Sequence, residues 1–124
     1  MKHVLALTFV LALAGAAHAQ IDFPAGHFPE QTGEALYKGV CQGCHMPQAQ
    51  GAVGAGAYPA LAGDHRLQTS AYPALVILKG QKAMPSFGDL SDAQVAGVIN
   101  YIRTLFGNDY KDAVTAEDVR VVRP

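Results

Sequence analysis

The two cysteines of this 124-residue chain lie together in VCQGCHMP, as Cys41 and Cys44, and His45 follows the second directly. Whatever these three side chains hold must be reached by all of them from one short stretch of backbone. Three chemistries use such a cluster: a redox dithiol, half of a zinc site, and covalent haem attachment through CxxCH. A thioredoxin-like pair follows a strand in a βαβ framework, whereas Cys41 follows a helical pattern with no βαβ unit around it. Neither a redox dithiol nor a plain structural disulfide fits. Structural zinc needs four protein ligands, usually as two separated pairs, and no second pair exists here.

Haem attachment accounts for every residue of the cluster. Thiols two residues apart can reach the two vinyl groups on one edge of a porphyrin, and the next residue, His45, then falls beneath the iron. Gly43 is expected to let the backbone turn tightly between the two thioether bonds. Export agrees with this reading, because c-type haem is attached outside the cytoplasm. The first 19 residues carry Lys2, an apolar run from Val4 to Ala14 and the small-residue site Ala17-His18-Ala19, which together read as a secretory signal peptide. Its apolar run is well short of the ~20 residues that a membrane span requires, and no later stretch is longer. Removal of residues 1–19 would leave 105 of the 124 residues, enough for one domain with a modest core that a large prosthetic group would help to fill. Without Lys2 the balance is 8 basic against 10 acidic residues, so neither nucleic acid nor an acidic membrane is an evident partner.

Residues 20–31 hold prolines, a glycine and no periodicity, and are expected to form an extended arm. A single domain over 32–107 is expected to follow, then a tail over 108–124. Thr32 is a plausible N-cap for GEALYKGV, a short helix that delivers the chain into Cys41. Residues 48–64 are rich in glycine and alanine and read as a packed loop. TSAYPALVILKG reads as a short buried helix with Pro73 in its first turn and Gly80 as its C-terminal cap; strand propensity competes over ALVIL, but no partner strand is visible. Ser91 and Gln94 form an S-x-x-Q capping box, with Leu90 and Val95 as a hydrophobic staple, which starts a helix at Asp92. Val95, Val98, Ile99, Ile102 and Leu105 recur at helical spacing, and Gly107 marks the stop. In the tail, Thr115 and Asp118 could cap one last turn, either folded back on the domain or free to dock a partner.

An iron held by His45 needs a ligand on its other face, and the choices are Met46, Met84, His27 and His65. Met46 is ruled out because its neighbour already occupies the opposite face. Met84 is favoured: KAMPSFGD is a polar turn between two helices, and Pro85 restricts Met84 to extended backbone that fixes its aim. His65 is the alternative, and a surface position is the plainer account of it and of His27.

CQGCH, YPALAG after a glycine-rich loop, MPSF and a terminal helix carrying NYIRTL resemble, in that order, the class I cytochrome c family over 32–107. The resemblance implies an all-α pouch of short helices and loops around one covalently bound haem c, with the first and last helices crossing closely. Gly33 matches the small residue at that crossing, and Tyr37 and Tyr101 its aromatics. Pro59 matches the proline whose carbonyl accepts a hydrogen bond from the proximal histidine Nδ1, and Leu61 would pack on the haem. The C-terminal part also resembles cytochrome subunits of periplasmic dehydrogenases. Not an enzyme but a periplasmic one-electron carrier is expected, taking electrons from a dehydrogenase and handing them to an oxidase or another cytochrome. Two alternatives accompany it: a docking subunit of a dehydrogenase complex, and a haem enzyme or gas sensor with a labile sixth ligand.

Overall fold

The computed structural model describes residues 28–124; the signal segment and the arm up to His27 lie outside the described residues. Thr32 caps the first helix as expected, its Oγ1 accepting from the Ala35 N–H at 3.1 Å. Helix α1 (Gly33–Leu36) continues through a π turn (Tyr37–Cys41) into α2 (Gln42–His45). The helix therefore does not merely lead to Cys41; it carries both cysteines and His45. In the π turn the Gln42 N–H reaches the Tyr37 carbonyl, five residues back. Such single-turn widenings recur at functional sites because they shift which side chains share a face. The backbone at Gly43 is helical, so the tight-turn role expected of that glycine is not needed.

Helix α4 (Asp92–Thr104) packs across α1, and the contact is backbone on backbone. A Cβ on Gly33 would collide with the Gly97 carbonyl. One turn on, the Tyr37 ring packs against Tyr101 and Phe106, with centroids 5.5 and 5.1 Å away. The α4 capping box forms in both directions, and Leu90 and Val95 are both buried as a staple requires. The Gln94 amide also donates to the Phe28 and Glu30 carbonyls, which ties the entering chain to α4.

Between these helices, residues 48–64 are more ordered than a loop: β1 (Ala52–Val53) and β2 (Ala57–Tyr58) pair antiparallel as a small ribbon. A 3-10 turn (His65–Gln68) follows, and then α3 (Ala71–Lys79), so ALVIL is helical, with Pro73 in the first turn and Gly80 closing the helix at φ +73°. Helix α5 (Ala116–Val122) begins with the Thr115–Asp118 capping box and folds back, burying Val119 completely. Packing of α5 against α3 and α4 places the tail on its own domain.

Arg103 joins these pieces. It is fully buried, yet its guanidinium donates to the Leu67, Gln68 and Asp112 carbonyls and to the Asp112 carboxylate, at 2.6–3.1 Å. A buried charge is tolerable only when its donors are matched in this way. Among the described residues no helix is long and apolar enough to cross a membrane.

Candidate functional site

A cavity of about 430 Å³ opens between the α1–α2 helix, the ribbon, α3 and the turn after α3. Its size falls within the ~300–1,000 Å³ of cofactor sites. Cys41, Cys44, His45, Pro59, Leu61 and Met84, all singled out in the sequence, line it together. His65 is exposed and lies outside that lining, whereas its neighbour Arg66 lies within it.

The backbone around His45 is built to aim the imidazole. His45 is buried, and its Nδ1 lies 3.0 Å from the Pro59 carbonyl oxygen. A carbonyl can only accept, so Nδ1 carries the proton and Nε2 keeps its lone pair. Such a bond fixes the tautomer of a ligating histidine and raises its basicity. Gly51 lets the 58–60 segment come close enough for this contact: its φ is +66°, and a Cβ there would strike the Tyr58 carbonyl. The Gly51 N–H in turn donates to the His45 carbonyl at 3.0 Å. Next to His45, Met46 takes φ +70°, and the buried Tyr37 hydroxyl donates to its carbonyl at 2.7 Å. Burial, with Cys41 and Tyr101 nearby, pushes the Tyr37 phenol up to about 12, so it remains a donor at any physiological pH.

Cys41 and Cys44 are not joined to each other in a disulfide. Burial pushes the Cys41 thiol up to about 11. Burial of Cys41 works against an accessible thiolate there, which a redox dithiol would need. Among the described residues no group of three or more His, Cys, Asp and Glu side chains converges as a metal site. Two thiols and an imidazole on one helical segment, facing an apolar cavity, fit a haem held by thioether bonds and one nitrogen.

Met84 is half-buried across the cavity lining, on a tight turn in which the Gln81 and Met84 backbones exchange both hydrogen bonds at 3.0 Å. Lys82 sits in that turn at φ +55° and also lines the cavity. At another part of the lining, Arg66 grips Asp64 through Nε and Nη2 at 2.8–3.1 Å and lies over the Tyr72 ring. Burial alone would raise the Asp64 carboxyl, but hydrogen bonds from Arg66 outweigh it and hold the group below the usual carboxylate range. Neither Arg66 nor Tyr72 was legible as a site residue, since a lone arginine in a polar loop forms no pattern.

The cations are unevenly partnered. Lys38, Arg66, Arg103, Lys111, Arg120 and Arg123 each pair with a carboxylate. Lys79 and Lys82 have no such partner among the described residues, and between Gly39 and Gly88 the sole carboxylate is Asp64, already held by Arg66.

Residues 29–102 match the family described as "Cytochrome C oxidase, cbb3-type, subunit III". A cytochrome c-552 of Thermus thermophilus is 35% identical in an alignment covering 99% of this chain and 87% of that protein. A second cytochrome c-552 of Thermus thermophilus is 36% identical over 67% of this chain and 78% of its own length. The gluconate 2-dehydrogenase cytochrome c subunit of Pantoea cypripedii is 35% identical over 75% of this chain, which spans only 24% of that subunit.

Proposed function

The chain belongs to the c-type cytochromes, electron-transfer proteins that carry covalently bound haem c and are not themselves enzymes, and we propose that it works as a periplasmic carrier between a dehydrogenase and a downstream oxidase or cytochrome. One observation carries the reading: Cys41, Cys44, His45 and Met84 line a single cavity from two separate walls. Haem c supplies the one-electron Fe(III)/Fe(II) change. Cys41 and Cys44 would fasten it through thioethers, and His45, steadied by Pro59, would offer Nε2 to the iron. Met84, from the opposite wall of the cavity, would supply a thioether sulfur to the iron, a soft ligand that would favour the ferrous state and raise the potential. Leu61, Val76, Ile77 and Ile102 exclude water around the group. If His45 and Met84 both bind the iron, substrate would have no open place on it. The signal-like segment supports the periplasm, and the likeness to a dehydrogenase subunit supports a dehydrogenase as donor.

Acid-acetone extraction of the purified protein should leave the haem on the polypeptide, and Cys41→Ala with Cys44→Ala should release all of it to the organic phase. Retention by the double variant would overturn the assignment of the thiols.

Lys79 and Lys82 would then stand beside the electron's exit, and among the described residues neither pairs with a carboxylate. They suit a partner with carboxylates around its own redox site. At ~0.15 M salt the screening length is only about 8 Å, so steering of this kind fades with ionic strength. Bimolecular electron transfer with the dehydrogenase should therefore slow as salt rises. Lys79→Glu with Lys82→Glu should give a slower, flatter series, and superimposable curves would return both lysines to plain surface residues.

A further inference from the structure

We infer that Arg123, just beyond the C-terminal helix, is a positioning residue for Met84: it latches the loop that joins Met84 to α4 and so sets how readily the thioether leaves the iron. The inference rests on the reading that Met84 ligates the iron.

The loop of residues 85–91 is gripped from two sides. Near Met84, the Ser86 hydroxyl donates to the Leu78 carbonyl at 2.5 Å and the Phe87 N–H to the Ile77 carbonyl at 2.9 Å, both at the end of α3. On its far side the loop is held by Arg123, whose Nη1 donates to the Gly88 carbonyl, Nη2 to the Leu90 carbonyl and Nε to Asp92 Oδ1, each at 2.8 Å. The planar guanidinium fork meets three acceptors at once, which a single ammonium on a flexible stem would satisfy far less well.

The latch has a firm base. Helix α5 is capped at its start and sinks Val119 completely into the core. Ahead of it, Asn100 of α4 exchanges two 2.8 Å hydrogen bonds with the Val114 backbone. Arg123 is thus held at one end by packing and reaches more than thirty residues back to hold the loop. Without its donors, the Gly88 and Leu90 carbonyls of the loop and the Asp92 carboxylate at the start of α4 lose this partner, and the α3 contacts are left to restrain the segment behind Met84. Release breaks the iron–sulfur bond without changing any oxidation state, and an added nitrogen base can then form its own bond to the iron.

Imidazole binding to the ferric holoprotein, followed optically at fixed pH, reports that release. In Arg123→Ala the rate at saturating imidazole should rise about tenfold, the weight of one charge-assisted hydrogen bond, and in Arg123→Lys by less. Thr32→Ala supplies the comparison, because loss of the α1 cap lowers global stability without touching α5 or the loop. Equal rates in parent and Arg123→Ala, or an acceleration in Thr32→Ala that matches Arg123→Ala at equal global stability loss, would overturn the latch. Faster amide exchange at Phe87 and Leu90 in Arg123→Ala but not in Thr32→Ala would support it, and unchanged exchange would overturn it. If the parent's ferric spectrum shows no methionine ligation before imidazole is added, the assignment of Met84 itself fails, a separate outcome visible at the first step.

Discussion

Replacing Met84 with Ala should leave the haem covalently attached but drop the reduction potential by on the order of 0.1 V or more, within the ~0.8 V over which axial ligands move haem potentials. Loss of the soft thioether removes the preference for ferrous iron, and the vacated face becomes open to water and small ligands. The fold should persist, because Met84 is only half-buried and its turn is closed by backbone bonds between residues 81 and 84. Potentiometric titration of the holoprotein with optical detection reads the change directly. His65→Ala should leave potential and spectrum alone, since that imidazole is exposed and outside the cavity lining. A spectral change in His65→Ala and none in Met84→Ala would reverse the ligand assignment.

Gly33→Ala should destabilise the protein by about 3 kcal/mol or more, beyond the usual range for overpacking, because the new methyl meets a backbone carbonyl that cannot rotate away. Relief requires α1 and α4 to part, which also separates Tyr37 from Tyr101 and loosens the wall that carries the haem-binding cluster. At ~4–8 °C per kcal/mol for a domain of this size, thermal unfolding should show a midpoint at least about 12 °C lower. Gly97→Ala makes a sharp control. Its methyl would sit 3.4 Å from the Gly33 nitrogen, an ordinary contact, and helix propensity favours Ala by ~1 kcal/mol. A small or even positive shift is expected there, and equal losses at both glycines would show that the crossing is not set by Gly33.

The cofactor cluster and the helix starts were legible because their determinants are local. Thr32, Ser91 with Gln94, and Thr115 with Asp118 act within one turn, so their spacing suffices. The Pro59 contact and the place of Leu61 followed only from family resemblance, since each depends on how distant segments come together, whereas Met84 stood out among the methionines and histidines by its Pro85-restricted turn. Other features left fainter traces. Arg103 sits in register with Val95 and Ile99 at four-residue spacing, on the buried face of α4, and a cation on an apolar stripe signals a buried clamp. Gly97 interrupts the same helix at a cost of ~1 kcal/mol relative to alanine, which asks for a packing reason. The π turn, the ribbon and the Arg123 contacts left no local trace. Apart from the Arg123–Asp92 pair, their hydrogen bonds go to backbone carbonyls, which every residue possesses, so little in the side-chain pattern distinguishes the acceptors.

Confinement of both thiols and the imidazole to a single helical segment has a consequence for dilution. A cofactor bound only by the folded state stabilises it in proportion to the logarithm of free ligand, so its protection fades as concentration falls. Here the anchor is local and covalent, while Pro59, Leu61 and Met84 arrive from elsewhere in the chain. The distant wall can open and the group still stays leashed to residues 41–45. Closure is then a first-order return at a fixed effective concentration, indifferent to how thinly the carrier is spread through its compartment.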